Sequence, residues 1–159
     1  MKNRKKKPLR SPKLCLVSSS GGHWEQLQKL KPLTAKYPGF FVTERTRFPV
    51  PKDTYRMLQT DGKDPLMPAK MIWNSLYALY IWMREKPDLV ITTGTMVAYP
   101  FYLLSVLFHK KFIFIETFAR ANLSTVAGQK MQKHADLFFV QWESQKRFYP
   151  NAIYRGCLY

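Results

Sequence analysis

Ser18-Ser19-Ser20-Gly21-Gly22-His23 places small residues and one imidazole between an apolar run and a helical pattern. Backbone N–H groups in such a turn approach an anion closely, and the helix start that follows adds positive potential. The segment has neither the Gly-Lys-Ser/Thr of a Walker loop nor the three glycines of a dinucleotide fingerprint. A tight turn with serine caps accounts for the same residues. His23 has the chemistry of a general base or a phosphate donor, and equally of a polar cap in a first helical turn. Thr92-Thr93-Gly94-Thr95 repeats the design after a second apolar run, where threonine is also an ordinary N-cap. Together the two loops point to one cleft supplied with donors from both sides. Glu116 directly follows the apolar run KFIFI, and a carboxylate there needs solvent, a cation or a ligand hydroxyl. A salt bridge with Arg120 or Lys111 is one reading of Glu116; acceptance from sugar hydroxyls, or service as a base, is the other.

These residues need a scaffold, and hydrophobic periodicity supplies one. KLCLVS at 13–18, GFFVT at 39–43, DLVIT at 88–92, KFIFI at 111–115 and DLFFVQ at 136–141 read as buried strands, with a possible short strand at 55–58. Helical patterns lie between them: after Gly22, from Pro68 to before Pro87, over 95–109, over 124–135, and briefly over 143–148. Continuous apolar strands alternating with helices predict a doubly wound, Rossmann-like α/β domain with a parallel sheet of five or six strands. Ligands of such sheets bind beyond the carboxyl ends of the strands, where all three motifs fall.

Composition narrows the class of function. The 159 residues hold 26 Lys+Arg against 10 Asp+Glu, a formal +16, with 46% hydrophobic residues. That is too apolar for a disordered basic tail, so the charge belongs to a folded domain with an anionic partner. Residues 1–13 carry seven cations and no acid, and without them the charge falls to +9. We therefore expect a flexible basic head over 1–12 and a single domain over 13–159. The first apolar run is too short for a signal peptide core. Residues 89–108 contain no charge and are long enough to span a membrane, but the internal Thr-Thr-Gly-Thr and Pro100 favour strand, turn and buried helix. Cys15 and Cys157 have no nearby His or Cys, so reduced thiols are expected, with no metal and no cofactor.

The helix after Pro68 adds a surface question. Trp73, Tyr77 and Tyr80 share one face, while Trp82 points elsewhere on the wheel, and the apolar girth exceeds what one buried face needs. Core packing explains most of it. An interfacial membrane contact through Trp73, Tyr77 and Trp82, assisted by Lys5, Lys6 and Lys7 of the head on an anionic bilayer, is the functional alternative.

SSSGGHWEQLQKL, ITTGTMVAYPF, FIFIETFAR and ADLFFVQWES, in this order and spacing, resemble the bacterial capsule and exopolysaccharide proteins of the PssD/CpsF type. These are similar to the acceptor-binding, membrane-recruiting subunit of the eukaryotic dolichol-linked N-acetylglucosaminyltransferase. The family resembles the N-terminal half of a GT-B glycosyltransferase such as MurG. The resemblance implies a domain that binds a polyprenyl-diphosphate-linked saccharide and works with a separate UDP-sugar-binding subunit at the cytoplasmic face of the bacterial plasma membrane. It implies contact of Ser19, Ser20, Gly21, Gly22 and His23 with the diphosphate, of Thr93, Gly94 and Thr95 with the same cleft, and of Glu116 with the acceptor sugar. Arg120 is a further expected diphosphate contact, and His23 and Glu116 are the candidate catalytic residues. The chain departs from the MurG pattern in having fewer loop glycines, and Thr117-Phe118 where Gln-Asn follows the glutamate. A GT-B enzyme needs two such domains, so this one is expected to transfer sugar weakly or not at all alone. A self-sufficient small transferase is the first rival. A nucleic-acid-binding module is the second; it lacks a recognition motif, and the aromatics do not alternate with cations.

Overall fold

The computed structural model describes residues 10–47, 49–61 and 64–159. Lys5, Lys6 and Lys7 lie outside the described residues. Seven parallel strands form one sheet in the order β3-β2-β1-β4-β5-β6-β7. They are β1 (Leu14–Val17), β2 (Gly39–Glu44), β3 (Thr54–Met57), β4 (Leu89–Thr92), β5 (Lys111–Ile115), β6 (Leu137–Val140) and β7 (Ile153–Tyr154). The order reverses between β1 and β4, which pair from Leu14↔Leu89 to Val17↔Thr92. That reversal opens a crevice beyond the strand ends where Ser18 and Thr93 begin their loops. The Rossmann-like α/β expectation is met, with seven strands where five or six were expected. The addition is the two-residue β7, too short to leave a periodic signal.

Five helices cover the sheet among the described residues: α1 (Gly22–Gln28), α2 (Leu33–Lys36), α3 (Met67–Glu85), α4 (Tyr99–Leu107) and α5 (Val126–Met131). Proline sits in the first turn of α3 and of α4, where its missing N–H costs no intrahelical bond. Side chains alternate across each strand, so each strand feeds both layers. Cys15, Val17, Val42, Phe112, Phe114 and Val140 pack with Ala78, Ile81 and Trp82 of α3 and Phe101 of α4 in the larger core. Leu14, Leu16 and Phe41 meet Leu27 and Trp24 of α1 on the other face. Residues 89–108 divide into β4, a short 3-10 turn and α4, and no helix among the described residues is long and apolar enough to cross a membrane. The expected helix over 143–148 is a 3-10 turn at Glu143–Arg147.

Polar anchors hold the start of β1 to the helical layer. Lys13 donates from Nζ to Glu85 at 2.6 Å and from its backbone N–H to Asp88 at 3.0 Å, while the Tyr55 hydroxyl donates to Glu85 at 2.5 Å. Hydrogen bonds from Lys13 and then Tyr55 hold the Glu85 carboxyl below its ordinary range. Burial, then the bond to Glu85, pushes the Tyr55 phenol up to about 12. These contacts lie at the amino ends of the strands, away from the crevice.

Candidate functional site

The two strand-end loops are joined directly. Ser19 N–H donates to the Gly94 carbonyl at 3.1 Å, and the Thr93 hydroxyl donates to the His23 carbonyl at 2.8 Å. The His23 ring places Nδ1 2.6 Å from the Thr93 carbonyl. A carbonyl only accepts, so Nδ1 carries the proton and Nε2 is the ring nitrogen left to accept one. Gly94 makes this approach possible: its φ is +99°, and a Cβ there would meet the His23 ring at 3.4 Å. His23, Gly22, Gln26, Thr117, Phe118, Ala119 and Tyr159 line a cleft of about 390 Å³ beside the joined loops. Hydrogen bonds join loop 19–23 to loop 93–95, and of these residues Gly22 and His23 line the cleft.

The glycine-rich loop has fewer free donors than its sequence advertises. Glu44, buried at the end of β2, accepts from both the N–H and the hydroxyl of Ser20 at 3.3 Å, and from the Thr60 hydroxyl at 2.8 Å. With the Ser19 and Ser20 amides engaged and Glu25 N–H donating to the Gly21 carbonyl at 3.1 Å, the backbone donors of the loop with no described partner are the N–H groups of Gly21, Gly22 and His23. Thr93 is also committed, locking His23, while Thr95 is half-buried and is not among the residues that line the cleft. Arg120 is exposed and forms no salt bridge with Glu116. Nothing in the sequence pairs Glu44 with Ser20, 24 residues earlier; only the neighbouring ends of β1 and β2 bring them together.

Glu116 corrects the sequence reading. It is 1% exposed, and its carboxylate turns away from the cleft into the seam with α5. It accepts from the Tyr149 hydroxyl at 2.5 Å, the Thr125 hydroxyl at 2.8 Å and the Thr117 N–H at 2.8 Å. Thr125 in turn caps α5, accepting from Gly128 N–H at 2.9 Å. Neither Lys111, which pairs with Asp136 at 2.5 Å, nor Arg120 is its partner. Burial and the bond to Glu116 raise the Tyr149 phenol well above its ordinary value. A carboxylate that accepts from three donors in a buried seam positions the β5 loop and is not placed to abstract a proton from a ligand.

A second network shapes the cleft wall. Gln26 accepts from the side chain of Gln141 and from Phe118 N–H at 3.3 Å, and Gln141 donates to the Glu116 carbonyl at 2.9 Å. Trp142 donates from Nε1 to the Phe118 carbonyl at 2.7 Å, and its ring lies 4.7 Å from that of Phe118. These residues were not singled out from sequence, because buried glutamines carry no spacing signature.

The aromatic helix divides as burial dictates. Trp73 is 59% exposed; Tyr77 is half-buried, stacked on the exposed Tyr80 at 6.1 Å. Trp82 is 3% exposed and stacks on Phe108 at the junction of α3 with α4, so its expected membrane contact is withdrawn. The wheel of a lone helix could not anticipate that α4 would close over this flank.

A seven-stranded parallel sheet with an imidazole and two polar loops at its reversal point defines a Rossmann-like domain of the kind found in GT-B glycosyltransferases and related epimerases. MurG of Acinetobacter baumannii superposes with a TM-score of 0.62 at 15% identity, over 81% of this chain and 41% of that one. A UDP-N-acetylglucosamine 2-epimerase from Rickettsia bellii gives 0.71 at 11%, over 94% and 46%. At such identities the likeness concerns fold alone. The chain belongs to the Alg14-like family of oligosaccharide biosynthesis proteins, whose model matches residues 65–158. It is similar to the UDP-N-acetylglucosamine transferase subunit ALG14 of Mus musculus, 30% identical in an alignment of 95 positions that covers 54% of this chain and 44% of the mouse protein. The ALG14 of Yarrowia lipolytica is 25% identical in a gapped alignment of 176 positions, covering 93% of this chain and 82% of that protein. The matched part is thus less than half of the mouse relative's length.

Proposed function

We propose that this chain is the acceptor-binding, membrane-associated subunit of a two-component glycosyltransferase. Its partner holds a UDP-sugar, and the acceptor is a polyprenyl-diphosphate-linked saccharide of bacterial capsule or exopolysaccharide synthesis. The observation that carries this reading is the union of loops 19–23 and 93–95 around the His23 cleft. Family membership and the subunit names of the relatives support it. In this arrangement the N–H groups of Gly21, Gly22 and His23 face the diphosphate, where oriented amides stabilise anionic oxygens. The acceptor sugar occupies the cleft against Phe118 and Gln26. His23 Nε2 takes the proton of the attacking hydroxyl, with Thr93 holding the ring. Glu116 supports the loop from behind. The test is sugar transfer from a UDP-sugar to a lipid-linked acceptor, with and without a donor-binding subunit; full activity from this chain alone would overturn the reading.

The membrane contact is assigned to the outer surface of α3 and α4. Ile72, Trp73, Leu76, Leu79 and Met83 of α3 and Leu103 and Leu107 of α4 are exposed, an apolar area larger than scattered surface residues produce. The one acid on these two helices, Glu85, is already paired with Lys13. Lys70 is paired with Asp64, and the exposed Lys86 adds positive charge suited to an anionic leaflet. In co-sedimentation with vesicles of phosphatidylglycerol and phosphatidylcholine, replacing both Trp73 and Leu76 by Glu should lower the bound fraction at least ~10-fold, since each side chain is worth roughly 1.5–3 kcal/mol when buried. Unchanged sedimentation of a folded variant would remove α3 from the contact.

A further inference from the structure

Tyr159 reaches the His23 cleft from the edge of the sheet. After the edge strand β7 the chain turns at Gly156, whose φ of +89° suits glycine, and comes back to the end of β6. There the Leu158 N–H donates to Gln141 Oε1 at 2.9 Å. The same Gln141 side chain donates to Gln26 and to the Glu116 carbonyl, so this segment is tied to the network that builds the cleft wall. Tyr159 then lines the cleft itself. Its ring meets that of Phe118 edge-on, with centroids 5.1 Å apart and 65° between the planes. Lys29 Nζ lies 5.8 Å from the centre of the Tyr159 ring, a cation–π contact that holds it from α1's side. Held in this way, Tyr159 still keeps 56% of its surface exposed.

Phe118 is the fixed half of the pair, because Trp142 both bonds its carbonyl and packs against its ring. The two rings make an apolar corner. The same cleft carries two polar atoms with no described partner, His23 Nε2 and Gln26 Nε2. A corner of 65° does not sandwich a flat base, which needs two nearly parallel faces. It suits a puckered ring that is apolar on one face and hydroxylated at its rim, and a pyranose has that form.

We propose that Tyr159 and Phe118 form the platform for the acceptor sugar, with Tyr159 setting the preference for a sugar-bearing diphosphate over a bare one. The apolar C–H face of the sugar lies against the two rings, and a hydroxyl at its rim meets His23 Nε2. This assignment rests on the acceptor reading above and adds a specificity residue from a segment outside both loops. Tyr159 acts on binding of the sugar and takes no part in proton transfer.

Calorimetric titration of the full chain without vesicles tests the platform with two probes of equal charge. One is the diphosphate diester of methanol and N-acetylglucosamine; the other is dimethyl diphosphate, with one methyl on each phosphate and no sugar. The wild-type chain should bind the sugar diester at least ~10-fold more tightly, as expected for burying its carbons against aromatic rings. Tyr159→Ala should bring that ratio to within ~3-fold while leaving the affinity for dimethyl diphosphate unchanged, which a general disturbance of the loops would not do. Tyr159→Phe retains the ring and should keep the ratio within ~2-fold of wild type. Equal affinity of the wild type for the two probes, a ratio that survives Tyr159→Ala, or a loss in Tyr159→Phe as large as in the alanine variant overturns the platform and leaves the diphosphate reading standing. Binding of neither probe overturns the acceptor reading itself, and the platform with it.

Discussion

Gly128→Ala is expected to destabilise this chain by about 3 kcal/mol or more, against the usual direction of such a change. Inside a helix alanine ordinarily gains up to ~1 kcal/mol over glycine. Here a Cβ would lie 2.3 Å from a carboxylate oxygen of Glu116, 2.5 Å from the Tyr149 hydroxyl and 2.9 Å from the Thr125 hydroxyl. None of these atoms is the end of a free side chain. Each is held by the other two, in a seam where Glu116 and Tyr149 are both 1% exposed. Relief requires breaking at least one buried bond, at roughly 1–3 kcal/mol for each group left unpaired, in addition to overpacking of similar size. Urea unfolding of the wild type and variant measures the difference. A neutral or stabilising Gly128→Ala would show that the seam is looser than described. Tyr149→Phe, which removes one donor and adds no atoms, should cost less, about 1–2 kcal/mol.

His23→Ala should lower the turnover of the reconstituted two-chain enzyme by roughly 10²–10⁴-fold, the span associated with general-base catalysis. The effect should fall on kcat more than on the KM for acceptor, because Gly21, Gly22 and the cleft walls remain. Folding should survive: the Thr93 hydroxyl bonds the His23 carbonyl, a backbone group that the substitution retains. Thr93→Val tests the second half of the argument. It removes that hydroxyl bond while keeping the carbonyl that orients the ring, so its loss should be much smaller. Turnover in His23→Ala within about 5-fold of wild type would reduce His23 to a loop cap, the reading that its first-turn position already allowed.

Strand KFIFI was legible residue for residue, because five apolar-rich positions bounded by turn signals have few other readings. The α3 helix was legible from Pro68 and the spacing of its apolar residues. The loops of the site were legible for the same reason: serine, glycine and threonine at strand ends are locally encoded chemistry. What the sequence hid was partnership. Glu116 looks alike in sequence whether it meets a ligand or Tyr149, 33 residues later, and only the packing of α5 against β5 decides it. Ser20 reads as a free donor until Glu44 arrives from the adjacent strand. Trp82 lies off the aromatic face of its own helix and is nevertheless buried, because the neighbour that covers it begins after another strand. Each error concerns a residue whose environment is built by chain distant in sequence.

Sugar transfer by purified components tests the division of labour most directly. This chain, a UDP-sugar-binding partner subunit and a polyprenyl-diphosphate-linked acceptor should together transfer sugar, with little or no turnover when either chain is omitted. This chain alone should retain affinity for the acceptor. Full transfer by this chain without the partner, or acceptor binding found only on the partner, would contradict the account.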